Sequence, residues 1–510
     1  MRKSFGIIYI LTKDKHGDII EKHDLWVFIV RENSIMEITE KKRLFGSRRF
    51  YGKALAIAVP IMLQSLIQSL VSLIDNFMVS GLGDIPMSGV NVAGQVLFVF
   101  MVCLNAICMA GGIFMTQFFG ARDSEGMKQA FLFKLIMGFS AFIPYVLVCV
   151  VFPREVLSLM VIGNTEAEQI LDEAVKYINI MVFMSVPFTA SMCIASSLRD
   201  MGQVKIPLVV TVVATLTNTL FNWLLIYGNL GFPAMGVKGA ATATVIARVV
   251  EFTIFVIVYI SKKPEFAVKL SRLFRVNGKL FREILKKGSL VLFCEMVWII
   301  SETITTAIYN GRGGADVVSG MSASFAIANL VFVAFGGIYS ATGVILGRTL
   351  GEGKLEKARE EKTWLLSGSA VFGVIMMLLG LAATFIIPLV FGKLSESAIE
   401  ICREMVILMA FFMPIWVYMN AQQAVARAGG DTAMGAYTDS VITIVIMIPM
   451  IFILGLFTDI GPVAMYMGVK LLDIVKVIVF HIWLKKERWL KNLARKDDGA
   501  DLAERQSEAG

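Results

Sequence analysis

From residue 54 almost to the end of the chain, long uncharged runs alternate with short polar segments rich in Lys and Arg. Each run is about twenty residues or longer, enough to cross a bilayer as a helix. The pattern predicts twelve spans, near 54–80, 89–118, 130–152, 175–198, 206–229, 238–261, 288–310, 319–347, 363–391, 399–426, 433–457 and 463–484. The basic segment 262–287, KKPEFAVKLSRLFRVNGKLFREILKK, divides them six and six. Its apolar positions recur at helical spacing and predict an amphipathic helix on the inner membrane surface.

The two sets of six resemble each other. GGIFMTQFFGARD (111–123) matches TGVILGRTLGEGK (342–354) in a register that superposes Gly112 on Gly343 and Gly120 on Gly351. The same register superposes Gly83 on Gly314 and Gly89 on Gly320, and AMGVK (234–238) echoes YMGVK (466–470). An even number of spans per half makes the repeats parallel, related by an axis along the membrane normal, as in transporters whose two bundles rock about a central site. The expected fold is an all-α polytopic membrane protein, twelve transmembrane helices in two six-helix bundles related by pseudo-two-fold symmetry. The expected divisions are a cytoplasmic extension 1–50, an N-lobe 51–261, the linker 262–287, a C-lobe 288–486 and a cytoplasmic tail 487–510. Residues 1–50, polar and charged, are expected to hold no removable signal peptide. Met36 opens a second basic lead into the first span, so residues 1–35 are expected to be a mis-called start or a dispensable tail.

Composition agrees: 56% of residues are hydrophobic and 17% charged, against about a quarter charged in soluble domains. The net charge of +8 raises the question of nucleic acid, but the charge follows topology. With both termini inside, the cytoplasmic segments hold roughly 38 of the 48 Lys and Arg and the outer loops about six. The six cysteines, Cys103, Cys108, Cys149, Cys193, Cys294 and Cys402, fall in or beside spans without a CxxC pair and read as small hydrophobes. His16, His23 and His481 have no metal-ligand spacing. No HExxH, GxSxG or P-loop pattern occurs, so an enzyme is not expected.

The chemistry sits in the few polar groups inside the spans. Asp75, in SLVSLIDNFMVSGLG, is the one charge in its span, and intramembrane acids are functional by default. It lies in the outer half of a span that runs outward. Asn218 and Asn222, one turn apart on the fifth span, Thr244 on the sixth and Gln95 on the second share that depth. One carboxylate, carboxamide oxygens and a hydroxyl are hard ligands suited to Na⁺ at Asp75; for the four uncharged members, interhelical hydrogen bonding is the other reading. In the second half, Glu295 and Glu302 share a face of the seventh span, with Trp298 and Thr305 close to it. Acids beside an aromatic suit an organic cation, or else they pack helices. Arg248 and Glu251, and Lys470, Asp473 and Lys476, are spaced to pair among themselves, and Asp473 could instead belong to a gate.

RAGGDT at 427–432, with Arg427, Gly429, Gly430 and Asp431, its looser first-half counterpart LRDMGQVKIP at 198–207, TQFFGARD at 116–123, and Pro60 with Asp75 in the first span together resemble the MATE (multidrug and toxic compound extrusion) transporters. The resemblance runs from about residue 40 to 495. It implies a two-lobe antiporter of the cell membrane that exports small organic solutes using a Na⁺ or H⁺ gradient, without a cofactor and without nucleic acid, expected to be monomeric. It puts Asp75 and its neighbours in the amino-terminal lobe's ion site, with one departure: many members carry an aspartate where this chain has Asn222. It also supports Glu295 as a recurrent acid, and would bring Asp439 into a carboxy-terminal charged network unless Asp439 is a solvated helix end. A flippase for a lipid-linked precursor is the alternative within the broader superfamily.

Overall fold

In the computed structural model, which describes residues 43–161, 166–273, 275–392 and 394–494, the apolar runs are helices and the polar segments their ends. Residues 1–35, His16 and His23, and the tail from 495 on lie outside the described residues. Twelve helical passes follow one another: α1 Arg48–Ser80, α2 Asp84–Ala121, α3 Ser124–Val151, α4 Ala167–Asp200, α5 Lys205–Tyr227, α6 Val237–Lys262, α7 Gly278–Asn310, α8 Ala315–Gly351, α9 Leu355–Phe391, α10 Glu396–Ala428, α11 Gly435–Phe457 and α12, made of Pro462–Lys470 and Leu472–Lys485. Ten are long and apolar enough to span a membrane by length and composition, and α10 and α12 complete the set. No strand occurs among the described residues. Four starts are set by side chains standing in extended backbone: Ser47, Asp123, Asn277 and Ser395 each accept from N–H groups of the first turn, satisfying donors that have no partner inside the helix.

The linker differs from expectation. Its helix covers only residues 278–287 and continues into α7; among the described residues before it, the one helical piece is the turn Leu270–Arg272. Tyr259 explains part of this, because its hydroxyl accepts from Val268 N at 2.7 Å and tethers the chain back to α6. Phe266 is fully buried in the first-half core. Asn277 then caps α7, which takes over residues 278–287.

The internal repeat survives as matched contacts. The register of Gly112 on Gly343 is a shift of 231. Gly120 of α2 lies against the Arg348 carbonyl of α8, and Gly351 of α8 lies against the Gln117 carbonyl of α2. Under that shift these are the same contact, with each helix in turn supplying the glycine. A Cβ on either would collide with backbone, so the close crossing requires both glycines. The first turns of α1 and α7 repeat the pattern. Phe50 packs its ring 5.1 Å from Trp364 of α9, and Phe281 packs 5.0 Å from Phe133 of α3, again equivalent pairs. Each bundle's first helix therefore begins against the opposite bundle.

Apart from those exchanged turns the apolar cores divide mainly by half, with Met62 of α1 packing on a second-half core and Val291 of α7 buried in a first-half one. Two clusters are built mainly from α2, α3, α4 and α6, and three from α7–α12. Across one end of the bundle the segment after α12 joins both. Trp489 is buried in a second-half core and Leu493 packs on a first-half one. Gln117, fully buried on α2, donates to Ala428 O at 2.7 Å and Lys491 O at 3.2 Å and accepts from Leu493 N at 2.6 Å.

Candidate functional site

At the other end of the bundle, where α1 turns into α2, Asp75 lies half-buried against α5 and α6. Asn222 Nδ2 donates to Asp75 Oδ1 at 2.6 Å. Asn218, one turn earlier on α5, has its amide nitrogen within 2.9 and 3.1 Å of the two carboxylate oxygens when its oxygen accepts from Thr244 Oγ1 at 3.3 Å. This is the orientation that serves an ionised acid. With the amide turned the other way, Asn218 presents its oxygen instead and accepts from Asn222 at 3.3 Å. Asn222 is almost fully buried, and its carboxamide oxygen has no hydrogen-bond partner among the described residues. A buried acceptor left unpaired is costly and calls for a ligand.

Of the five polar residues expected at this depth, four meet and Gln95 does not. The buried face of α2 carries Ala93, Leu97, Phe100 and Leu104 at helical spacing, and Gln95 projects from the other side, exposed. Depth was legible from topology; the face needed the packed helix. Two further residues approach the site. Tyr177 of α4, buried, lies beside Thr244 and within electrostatic reach of Asp75. Arg248, one turn beyond Thr244, is likewise within electrostatic reach of Asp75, is paired with Glu251 at 2.7 Å and lies over the Phe188 ring at 5.0 Å. The Arg248–Glu251 pair follows from i, i+3 spacing, whereas nothing in the sequence around Tyr177 singles it out.

Lower in the same half is a charge the sequence reading passed over. Lys134 of α3 is fully buried and pairs with Asp200 at 2.5 Å, its remaining donors reaching Ser196 Oγ at 3.0 Å and Ser197 Oγ at 3.3 Å. The available signal was a lone lysine inside an apolar run.

In the second half the four candidate acids, Glu295, Glu302, Asp439 and Asp473, are each partnered. Glu295 lies 3.4 Å from Arg427, the first residue of RAGGDT, which also donates to the Tyr339 hydroxyl at 3.4 Å. Glu302 is bound by Lys470 at 3.0 Å. The two acids share a face of α7 as expected, yet each answers a different basic residue. Trp298 is 53% exposed and belongs to neither; the aromatic neighbours come instead from Trp416 of α10 and Tyr466 of α12. Lys476 lies 2.8 Å from Asp439 and 3.6 Å from Asp473, and Asp473 also accepts from Trp416 Nε1 at 2.8 Å. Asp439 is thus part of the charged network, in a wide-turn stretch, Gly435–Asp439, at the start of α11. Such stretches recur at functional positions. Lys470, expected to pair along α12, pairs across to α7, because the tertiary contact is closer than the i, i+3 alternative.

The RAGGDT loop itself is structural in its contacts. Asp431 accepts from Trp483 Nε1 at 2.8 Å, Lys287 Nζ donates to Gly430 O at 3.0 Å, Gly430 takes φ +75°, and Gly429 has the Trp489 carbonyl where a Cβ would stand. No group of three His, Cys, Asp or Glu side chains able to hold a metal occurs among the described residues. The donor set at Asp75, one carboxylate with amide and hydroxyl oxygens, therefore fits a hard monovalent ion rather than a transition metal.

The family profile described as MatE matches residues 60–224 and 292–453. The chain is 25% identical over 442 residues to the probable multidrug resistance protein NorM of Thermotoga maritima, covering 84% of this chain and 90% of that one. It is 25% identical over 322 residues to the uncharacterized transporter YisQ of Bacillus subtilis, covering 62% and 69% respectively. Its fold resembles a MATE protein crystallised in the bent conformation, with a TM-score of 0.75 at 19% identity over 86% of this chain and 95% of that one. It also resembles a multidrug-resistance MATE transporter of the MOP superfamily in an outward-facing conformation, with a TM-score of 0.74 at 17% identity over 88% and 98%.

Proposed function

The chain belongs to the MatE family, and from that premise we propose that it exports organic, often cationic, solutes in exchange for Na⁺ or H⁺, with Asp75 as the coupling acid. It is a multi-pass membrane transporter and not an enzyme. The observation that carries the coupling is the arrangement around Asp75: a carboxylate held by the amides of Asn222 and Asn218, the second of which fits in either orientation, beside a buried Asn222 oxygen without a partner among the described residues.

The chemistry follows from which atoms face the acid. With both amide nitrogens toward it, the ionised carboxylate is satisfied, and the Asn222 oxygen is left without a partner among the described residues. An incoming cation is served by the opposite arrangement, in which the oxygens of Asn218 and Asn222 join the carboxylate and the Thr244 hydroxyl. A proton on Asp75 needs only one acceptor, which the turned Asn218 oxygen supplies. Either ion removes the negative charge from α1 and reverses amides on α5. The site therefore differs between loaded and empty states in the packing of α1 against α5 and α6. Coupling requires such a difference, because a ligand shifts a conformational equilibrium only by its differential affinity for the two states.

The test is efflux from proteoliposomes under separately imposed Na⁺ and pH gradients, comparing wild type with Asp75→Asn. The asparagine is close in size and is expected to leave the folded protein intact while gradient-driven export is lost. Retained, gradient-driven export in the variant would show that coupling runs elsewhere.

A further inference from the structure

Residues 487–494, which follow α12, change sides along their length. The first part belongs to the second half. Glu487 pairs with Arg359 of α9 at 2.7 Å, and Trp489 is buried with its Nε1 donating to Leu484 O at 3.2 Å. From Lys491 on, the chain meets the first half. Gln117 of α2 donates to Lys491 O at 3.2 Å and accepts from Leu493 N at 2.6 Å. These are the two bonds that a neighbouring strand would make on either side of residue 492. The second N–H of the same amide donates to Ala428 O, at the end of α10, at 2.7 Å. Leu493 and Ala494 pack on the first-half core.

We propose that residues 489–494 are a strap that latches the two bundles together at the end opposite Asp75, and that its release from Gln117 lets this end open. The inference rests on the exporter reading above and adds to it the contact that holds one conformational state. All three partners of the Gln117 amide lie on the second-half side, two on the strap and one on α10. Parting the bundles here breaks the three bonds together and lifts Leu493 and Ala494 off an apolar surface. The strap travels with the second half, because Trp489 is 1% exposed whereas Leu493 and Ala494 are only half-buried. Asn492 holds it in the same sense, donating to Gly351 O of α8 at 3.3 Å.

The latch sits beside the crossing of α2 and α8, where Gly351 lies against the Gln117 carbonyl. Gln117 therefore meets α8 with its backbone and the strap with its side chain. The crossing alone is close packing of two backbones, which has little directionality; the strap adds directed bonds at the same point. Those bonds join neutral groups. Water replaces each of them when the end opens, so the net hold is modest and the latch can release. A buried ion pair in its place would leave charges to be accommodated at every opening.

Double electron–electron resonance on the full chain in lipid nanodiscs tests this, with nitroxides carried on genetically encoded ketone residues. One pair of labels sits at Ser124 and Glu360, exposed at the strap end of α3 and α9. The other sits at Leu159 and Phe457, exposed at the Asp75 end. Gln117→Leu is expected to raise the ratio of long to short distances at the strap end about tenfold or more, and to shorten the distance at the Asp75 end. A fold that is merely loosened lengthens both, so lengthening at both ends, or no change at either, overturns the inference. Should Gln117→Leu fail to fold, Leu493→Ser alters the strap without touching a helix and carries the same expectation. Distances that shift as expected in a chain that exports no solute leave the strap standing and sink the exporter reading. Wild-type export with distances indifferent to the strap does the reverse.

Discussion

Asp200→Asn removes the countercharge of an ammonium that has no contact with water. Lys134 is fully buried, and its three donors are taken by Asp200 at 2.5 Å, Ser196 at 3.0 Å and Ser197 at 3.3 Å. Leaving one charge of such a pair uncompensated costs about 3–5 kcal/mol. Lys134→Met is expected to be milder, about 1–3 kcal/mol, because Asp200 keeps 19% side-chain exposure and can take up water. The double variant removes both charges with nearly conserved volume and should lose only about 1 kcal/mol. The two single losses together therefore exceed the double loss by about 3 kcal/mol or more. Unfolding by SDS titration in mixed micelles, followed by circular dichroism at a common detergent fraction, measures all four proteins on one scale. A double variant whose loss equals the sum of the singles would refute the argument. Lys134 would then contribute packing and no charge pairing, and the link it makes between α3 and α4 would be of another kind.

Asn222→Asp adds a second acid at a position whose nitrogen now lies 2.6 Å from Asp75. It is expected to change the Na⁺ and pH dependence of efflux, and an unchanged profile would put Asn222 outside the ion pathway. Gly120→Val and Gly351→Val should impair folded yield alike, since each drives a side chain into backbone at one of two equivalent contacts; size-exclusion profiles of solubilised protein check this, and damage from only one of them would contradict the equivalence. Gln117→Leu abolishes three hydrogen bonds to backbone at residues 428, 491 and 493. It should speed hydrogen exchange in 489–494 by about tenfold or more, given about 1–3 kcal/mol for buried groups left unpaired. No change in exchange there would show that Trp489 and Leu493 suffice to hold the segment.

The contrast between the two halves bears on mechanism. The shift of 231 that relates Gly120 to Gly351 carries Asp75 to Thr306, which is exposed. The acid of the first half thus has no equivalent in the second, and the second half places its charges on α7, α10, α11 and α12 instead. Backbone crossings obey the repeat while polar side chains depart from it. Symmetry of this kind supplies a scaffold with two similar lobes, on which each lobe carries different chemistry.

Span number, the six-and-six division and the repeat were readable along the chain because each rests on local properties: apolar length, basic connections and glycines in register. Asp75, Asn218, Asn222 and Thr244 could be grouped because depth in a membrane helix follows from counting residues from its end. What counting cannot supply is the rotation of each helix about its axis. That rotation turned Gln95 away and left Trp298 exposed, and it brought Tyr177, Trp416 and Tyr466 to charged sites from helices distant in sequence. Pairing was decided the same way. Lys470 has Asp473 three residues on and Glu302 across the bundle at 3.0 Å, and only the packed structure sets which is nearer. The expected linker helix is confined to residues 278–287 for a related reason, since burial of Phe266 and the bond between Tyr259 and Val268 hold the earlier part of the linker against the first half.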